Sequence, residues 1–130
     1  MTRGFRWLLP IAFFLVCTGW AVTSPVGSSP DDDYHLSSTW CAHGITDGQC
    51  QTDPGDPRAR LVPAAVVAAS DCFRYHADIS GACTRDTLVV PGMISTSRVN
   101  AELRQYPGGF YFVMAMFVGP DVEQSVLVMR

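Results

Sequence analysis

The sequence predicts a mainly α protein: an N-terminal transmembrane helix, then a disulfide-bonded, loop-rich extracytoplasmic segment with short amphipathic and juxtamembrane helices. Three observations carry this. Trp7 to Val22 is an uncharged run behind Arg3 and Arg6. Four cysteines follow it, Cys41, Cys50, Cys72 and Cys83, an even number suited to an oxidising compartment. Hydrophobic residues reach 48% and charged residues only 16%, too apolar for disorder, while 11 Gly and 9 Pro interrupt regular structure often. The 130 residues allow one ordinary domain. The expected organisation is a signal-anchor helix over 1–25, an external loop domain over 26–106, and a juxtamembrane helix with the start of a second membrane helix over 107–130.

The N-terminal run sets the compartment. Sixteen helical residues span ~24 Å, short of a hydrocarbon core of about 30 Å, and the flanking residues Phe5 and Thr23–Pro25 close most of the gap. From Ser24 to Tyr106 the chain carries ten acids against six arginines. The positive-inside rule therefore keeps Arg3 and Arg6 in the cytoplasm and places everything after about residue 25 outside, with the lipid bilayer as a partner. A cleaved secretory signal is the rival reading. Its apolar region runs about 7–15 residues before small residues at the cut, and Gly19–Ala21 and Val22–Ser24 are passable sites. All nine basic residues are Arg, and 12 acids bring the net charge to −3. No basic stripe exists to neutralise phosphates, which excludes nucleic acid as a partner.

Ser24–Pro30 reads as a linker. Asp31, Asp32 and Asp33 then precede a ten-residue body, Tyr34–His43, stopped by Gly44, which is helix punctuation with Leu36 and Trp40 on one face. Gly44–Pro57 is rich in turn dipeptides. Val62-Pro63 opens a short helix through AAVVAAS, with Pro at its first turn. Cys72 and Cys83 bracket a loop carrying Arg74, Tyr75, His76 and Asp78. Thr84–Val99, with Pro91-Gly92 in its middle, reads as a strand and turn.

The four cysteines allow three pairings. Local spacing favours Cys41–Cys50 and Cys72–Cys83, each closing a short loop worth ~2–3 kcal/mol. Free buried thiols are the alternative. Zinc is a weaker one, since no C-x-x-C is present and His43 adds only a loose ligand. Phe110–Val118 is apolar and too short to span, and fits an interfacial helix with Tyr106 and Tyr111 at headgroup level. Ser125–Met129 starts another apolar run, which reads as a chain cut at a second membrane helix. The alternative is a C-terminal element packed on its own core.

Three stretches together resemble a family of predicted polytopic membrane proteins of actinobacteria, of unknown function, itself similar to the GT-C class of membrane glycosyltransferases. The first is Ser29–His35, against a Pro-Asp-Glu-Pro-x-His pattern. Asp31 and His35 match, Asp32 replaces Glu, and Asp33 replaces Pro. The second is Val62-Pro63-Ala64-Ala65 with Cys72-Phe73 and Cys83. The third is Arg104–Tyr111, against Arg-Tyr-Pro-Pro-x-Tyr-Tyr, where Gly108 replaces the second Pro. The resemblance implies a fragment holding the first membrane helix and first external loop of a longer enzyme, which would transfer sugar from a polyprenyl-phosphate donor and be inactive alone.

It further implies Asp31 as the base that takes the acceptor proton, Asp32 as its partner or the ligand of a divalent metal cation, and His35 as an orienter. Arg104 and Tyr106 would bind substrate. Without the resemblance, Asp31–Asp33 are a helix N-terminus favoured by capping and the macrodipole, and Asp33 counts only as a cap. Arg104 and Tyr106 are then membrane anchors. A small secreted or membrane-anchored, disulfide-stabilised binding protein is the non-enzymatic alternative. A Ser-His-Asp hydrolase drawing on His35, His43 or His76 lacks the G-x-S-x-G elbow.

The anchor reading expects the first segment to stay attached. Intact-mass analysis of the mature chain should find residues 1–21 present, and an N-terminus at Val22 or Pro25 would identify a cleaved signal.

Overall fold

The computed structural model describes residues 5–101 and 105–129. Helix α1 runs Phe5–Thr23, and its stretch Arg6–Thr23 is long and apolar enough to cross a membrane, with no part of it buried inside the protein. Trp7, Leu9, Phe13, Val16 and Trp20 are all exposed, as lipid-facing side chains must be. Pro10 lies inside this helix, a position that membrane helices tolerate. Arg3 lies outside the described residues.

Below α1 the chain folds as short helices around a small sheet. Helix α2 spans Asp32–Trp40, α3 spans Ala64–Asp71, and a 3₁₀ turn at Gly81–Cys83 leads into α4, Thr84–Thr87. Strands β1 (Gln51–Thr52), β2 (Arg60–Pro63) and β3 (Met93–Thr96) make one antiparallel sheet in the order β1-β2-β3. Register places Val62 opposite Ile94 and Arg60 opposite Thr96. Helices α5 (Gly108–Ala115) and α6 (Val122–Val128) complete the chain. The core gathers Val26, Trp40, Val66, Ala69, Leu88 and Val126, with Leu36, Val118, Val122 and Met129 against it.

Several local expectations change. The helix after the acidic cluster starts two residues earlier than punctuation suggested and ends at Trp40, with Cys41 as its C-cap. The stretch Thr84–Val99 is not simply strand and turn: it opens as α4, and the strand begins only after the Pro91-Gly92 turn, where Gly92 has φ +92°. The Ser24–Pro30 segment is pinned to the domain. Val26 is buried, and Gly27 sits at φ +85° so close to α3 that a Cβ there would collide with the Ser70 carbonyl oxygen. Only glycine fits at that crossing.

Both disulfides are local, Cys41–Cys50 and Cys72–Cys83, with Cα separations of 5.1 and 6.0 Å. Each begins at the C-cap of a helix, Cys41 after α2 and Cys72 after α3. Each therefore ties the frayable end of a helix to the next turn of chain. Cys17, on α1, is free and exposed.

Non-reducing peptide mapping should recover Cys41 with Cys50 and Cys72 with Cys83, and a Cys41–Cys72 or Cys41–Cys83 peptide would refute local pairing. Replacing either pair by serine should lower unfolding stability by about 2–3 kcal/mol, read by denaturant titration.

Candidate functional site

The three consecutive acids at the start of α2 point in different directions and meet different partners. Asp31 occupies the N-cap position but makes no side-chain cap; its Oδ1 accepts from Arg98 Nη2 at 3.1 Å, and both side chains are about half exposed. Asp32 turns back on the segment that enters the helix. Its Oδ2 accepts from the backbone N–H of Gly27 at 2.9 Å and of Ser29 at 3.2 Å. Asp33 points inward and is buried.

Asp33, expected to be no more than a cap, is the buried hub of the cluster. Arg74 Nη1 lies 2.7 Å from its Oδ1, Arg98 Nη2 donates to the same oxygen at 3.0 Å, and Arg98 Nε donates to Oδ2. Arg74 also donates to the Pro30 carbonyl and lies over the Tyr75 ring at 5.0 Å. Burial by itself would raise the Asp33 carboxyl. Hydrogen bonds from Arg98, the Tyr34 backbone and Arg74, with the Arg98 charge, outweigh it and hold the group below the usual aspartate range. The same contact with Asp33 pushes Arg98 up against its own partial burial. Two arginines from distant segments thus close on one carboxylate.

A second cluster is aromatic. His35 Nδ1 is 2.8 Å from the Tyr111 hydroxyl, and their rings stack at 5.9 Å. The Tyr106 ring meets His35 edge-on at 5.2 Å and Tyr34 at 5.6 Å. Buried Asn100 sets Tyr106 in place: its Nδ2 donates to the Tyr106 carbonyl at 3.0 Å, and its backbone N–H donates to Ser38 Oγ on α2 at 2.8 Å. Tyr111 is fully buried within the domain, 1% exposed. Burial pushes its hydroxyl up.

The site residues fall into two cavities. A polar cleft of about 340 Å³ is lined by Asp31, Tyr34, Arg98, Gln105 and Tyr106. A more apolar cavity of about 230 Å³ opens where α1 ends, with Asp32 and His35 on its wall beside Ala21, Ser24, Phe110 and Met114. Asp31 and Tyr106 come together, whereas Asp32 and His35 line the other space. Arg104 lies outside the described residues. Among the described residues no three His, Cys, Asp or Glu side chains gather as a metal site. Asp31 faces a guanidinium through Oδ1, Asp32 is engaged by two backbone N–H groups through Oδ2, and the two line different cavities. Arg98 and Arg74, absent from the sequence-based site, do more at the cluster than His35. Arg98 stands alone in a polar run, and its only signal is the need of a buried acid for a base.

Replacing Asp33 should therefore cost more than a cap. Asp33→Ala takes from Arg74, whose side chain is 12% exposed, its closest acid and leaves it the exposed Asp71 at 3.4 Å; it should lower stability by roughly 3 kcal/mol, against about 0.5–2 kcal/mol for a lost cap. Arg98→Ala, at a half-exposed partner, should cost less. Because the folded Asp33 carboxyl titrates below its unfolded value of ~3.9, its contribution is complete above that pH and is lost as pH falls through the folded value. Denaturant midpoints should drop on acidification below about pH 4 in the parent chain and more shallowly in Asp33→Ala.

Comparison with known proteins bears on the whole chain. No curated protein and no solved structure matches it. Residues 14–130 match the family described as predicted membrane protein, DUF2142, a span that takes in the second half of α1, both disulfides, the acidic cluster and the aromatic cluster. With an exposed apolar helix leading a disulfide-bonded domain, this chain belongs to the DUF2142 family of predicted membrane proteins.

Proposed function

We propose that this chain supplies the first membrane helix and first extracytoplasmic loop of a GT-C-like glycosyltransferase of actinobacterial type that draws on a polyprenyl-phosphate-linked sugar. The supporting observation is Asp31. Of the three acids it alone keeps an exposed side chain, 58% accessible, and it lines the polar cleft with Tyr106 just past the membrane helix. Arg98 engages only Oδ1. The other oxygen is available to an acceptor hydroxyl, whose proton it takes as the new glycosidic bond forms and the phosphate leaves. Arg98, with Arg104 in the same role, offsets charge on that phosphate, and Tyr106 offers a ring face to a sugar.

Asp32 keeps the entry to α2 closed and His35 orients Tyr111, so both act as positioning residues in this reading. The N-terminus is cytoplasmic and the domain extracytoplasmic. A lipid-linked donor needs more membrane helices than α1, so transfer by this chain alone is not expected. A second reading, a membrane-anchored binding protein without enzymatic activity, is favoured by the protein partners that occupy Asp32 and Asp33.

In a full-length family member, Asp31→Asn should lower sugar transfer by about 10²–10⁴-fold with protein level unchanged, assayed by transfer from a labelled polyprenyl-phosphate sugar. Full activity in Asp31→Asn would leave the binding-protein reading.

A further inference from the structure

The apolar cavity at the end of α1 holds one acid that the fold leaves half used. Asp32 Oδ2 accepts from the Gly27 and Ser29 N–H groups. Its Oδ1 has no partner among the described residues, and no arginine there pairs with the carboxylate, whereas Asp31 and Asp33 both meet Arg98. His35, three positions on, shares that face of α2 and that wall. Its Nδ1 faces the Tyr111 hydroxyl, and its Nε2 is without a partner among the described residues. The other walls are mostly apolar, with Leu36, Phe110, Met114 and Val126 among them, and no basic side chain lines the space. A largely apolar hollow with a few convergent polar groups is the make-up of a small-molecule site.

The polar groups select the head of a ligand. A carboxylate oxygen set against apolar walls is costly unless a donor answers it. A hydroxyl or an ammonium answers it with a hydrogen bond, the ammonium with its charge as well. A phosphate or a second carboxylate is repelled, and no arginine on these walls offsets the repulsion. The walls select the tail. Ala21 and Ser24, at the end of α1, border the cavity, and the outward side chains of α1 are apolar and exposed. A chain lying in the cavity therefore continues into the lipid that surrounds α1.

We infer that this cavity binds a membrane amphiphile whose apolar chain ends in a hydrogen-bond donor, a long-chain alcohol or amine, and that it turns lipid phosphates away. The head donates to Asp32 Oδ1, and the chain lies against Leu36, Phe110 and Met114. The polar cleft is a separate place of opposite preference: it holds Arg98 and shares no lining residue with this cavity. The inference rests on α1 being a membrane helix and stands whether or not the chain transfers sugar.

The test uses the full chain in phosphatidylcholine vesicles and three photoreactive probes of equal chain length, each with a diazirine in mid-chain: a primary alcohol, a primary amine and an alkyl phosphate. Tandem mass spectrometry locates the label. Label on the α2 segment Leu36–Thr39 is divided by label on the α1 segment Trp7–Val16, which corrects for how much of each probe enters the bilayer. The ratio for the alcohol and the amine should exceed that for the phosphate by about ten-fold, and the higher of the two names the head. Excess unlabelled long-chain alcohol should remove the α2 label and leave the α1 label. Asp32→Asn should cut the amine's advantage over the phosphate several-fold, with unchanged disulfide mapping as the check on folding. Met114→Trp, which fills the cavity and leaves Asp32 in place, should lose the α2 label with every probe. An α2 label that excess alcohol does not displace, or that persists in Met114→Trp, would overturn the site. Equal ratios for amine, alcohol and phosphate would overturn the choice of head and leave a cavity for any apolar chain.

Discussion

One carboxylate joins three parts of the chain that the sequence keeps apart. Asp33, in the first turn of α2, holds Arg74 from the loop beyond α3 and Arg98 from the turn after β3. Without that junction the acidic start of α2 would be three like charges at one helix end, which repel one another. With it, one charge is neutralised inside, one is spent on the backbone of the entering segment, and one is left outward beside Arg98. A buried charge that loses its partner is costly, so the arrangement is closed to partial solutions. The polar cleft inherits its walls from this arrangement, because Arg98 belongs to the hub and to the cleft at once.

The remaining stability is modest in its sources. The core is a handful of side chains around Trp40 and Val66, small for a chain of this length, and a domain so built needs staples. The disulfides close the ends of α2 and α3, the two helices that carry that core. The His35–Tyr111 hydrogen bond then fastens α5 to α2 from the other side. Each device acts at a helix end or between helices, where a short helix would otherwise fray.

Features with local causes were legible in the sequence. The uncharged run behind two arginines became α1, close cysteine spacing became the two disulfides, and aspartates before an apolar-polar body marked the start of α2. What stayed hidden depends on distant partners. Strand β2 is four residues long, ends in proline, and gains its register from β3, thirty or more positions on, so no alternating pattern announces it. Asp33 reads as a cap because its two arginines are far along the chain, and nothing in their neighbourhoods marks them as ligands of a buried acid. At the site, Asp31 and Tyr106 could be grouped from motif order. The separation of His35 into another cavity could not, since it follows from where α5 packs.

The segment between α1 and α2 has a mechanical consequence. Ser24 N–H still bonds to the Trp20 carbonyl, Val26 is in the core, Gly27 is pressed on Ser70, and Asp32 grips the turn. Such a connection is no swivel. A change in tilt of α1 relative to the domain has to break these contacts first, and they lie within one turn of the start of α2, where Asp31 faces the cleft and Asp33 the two arginines.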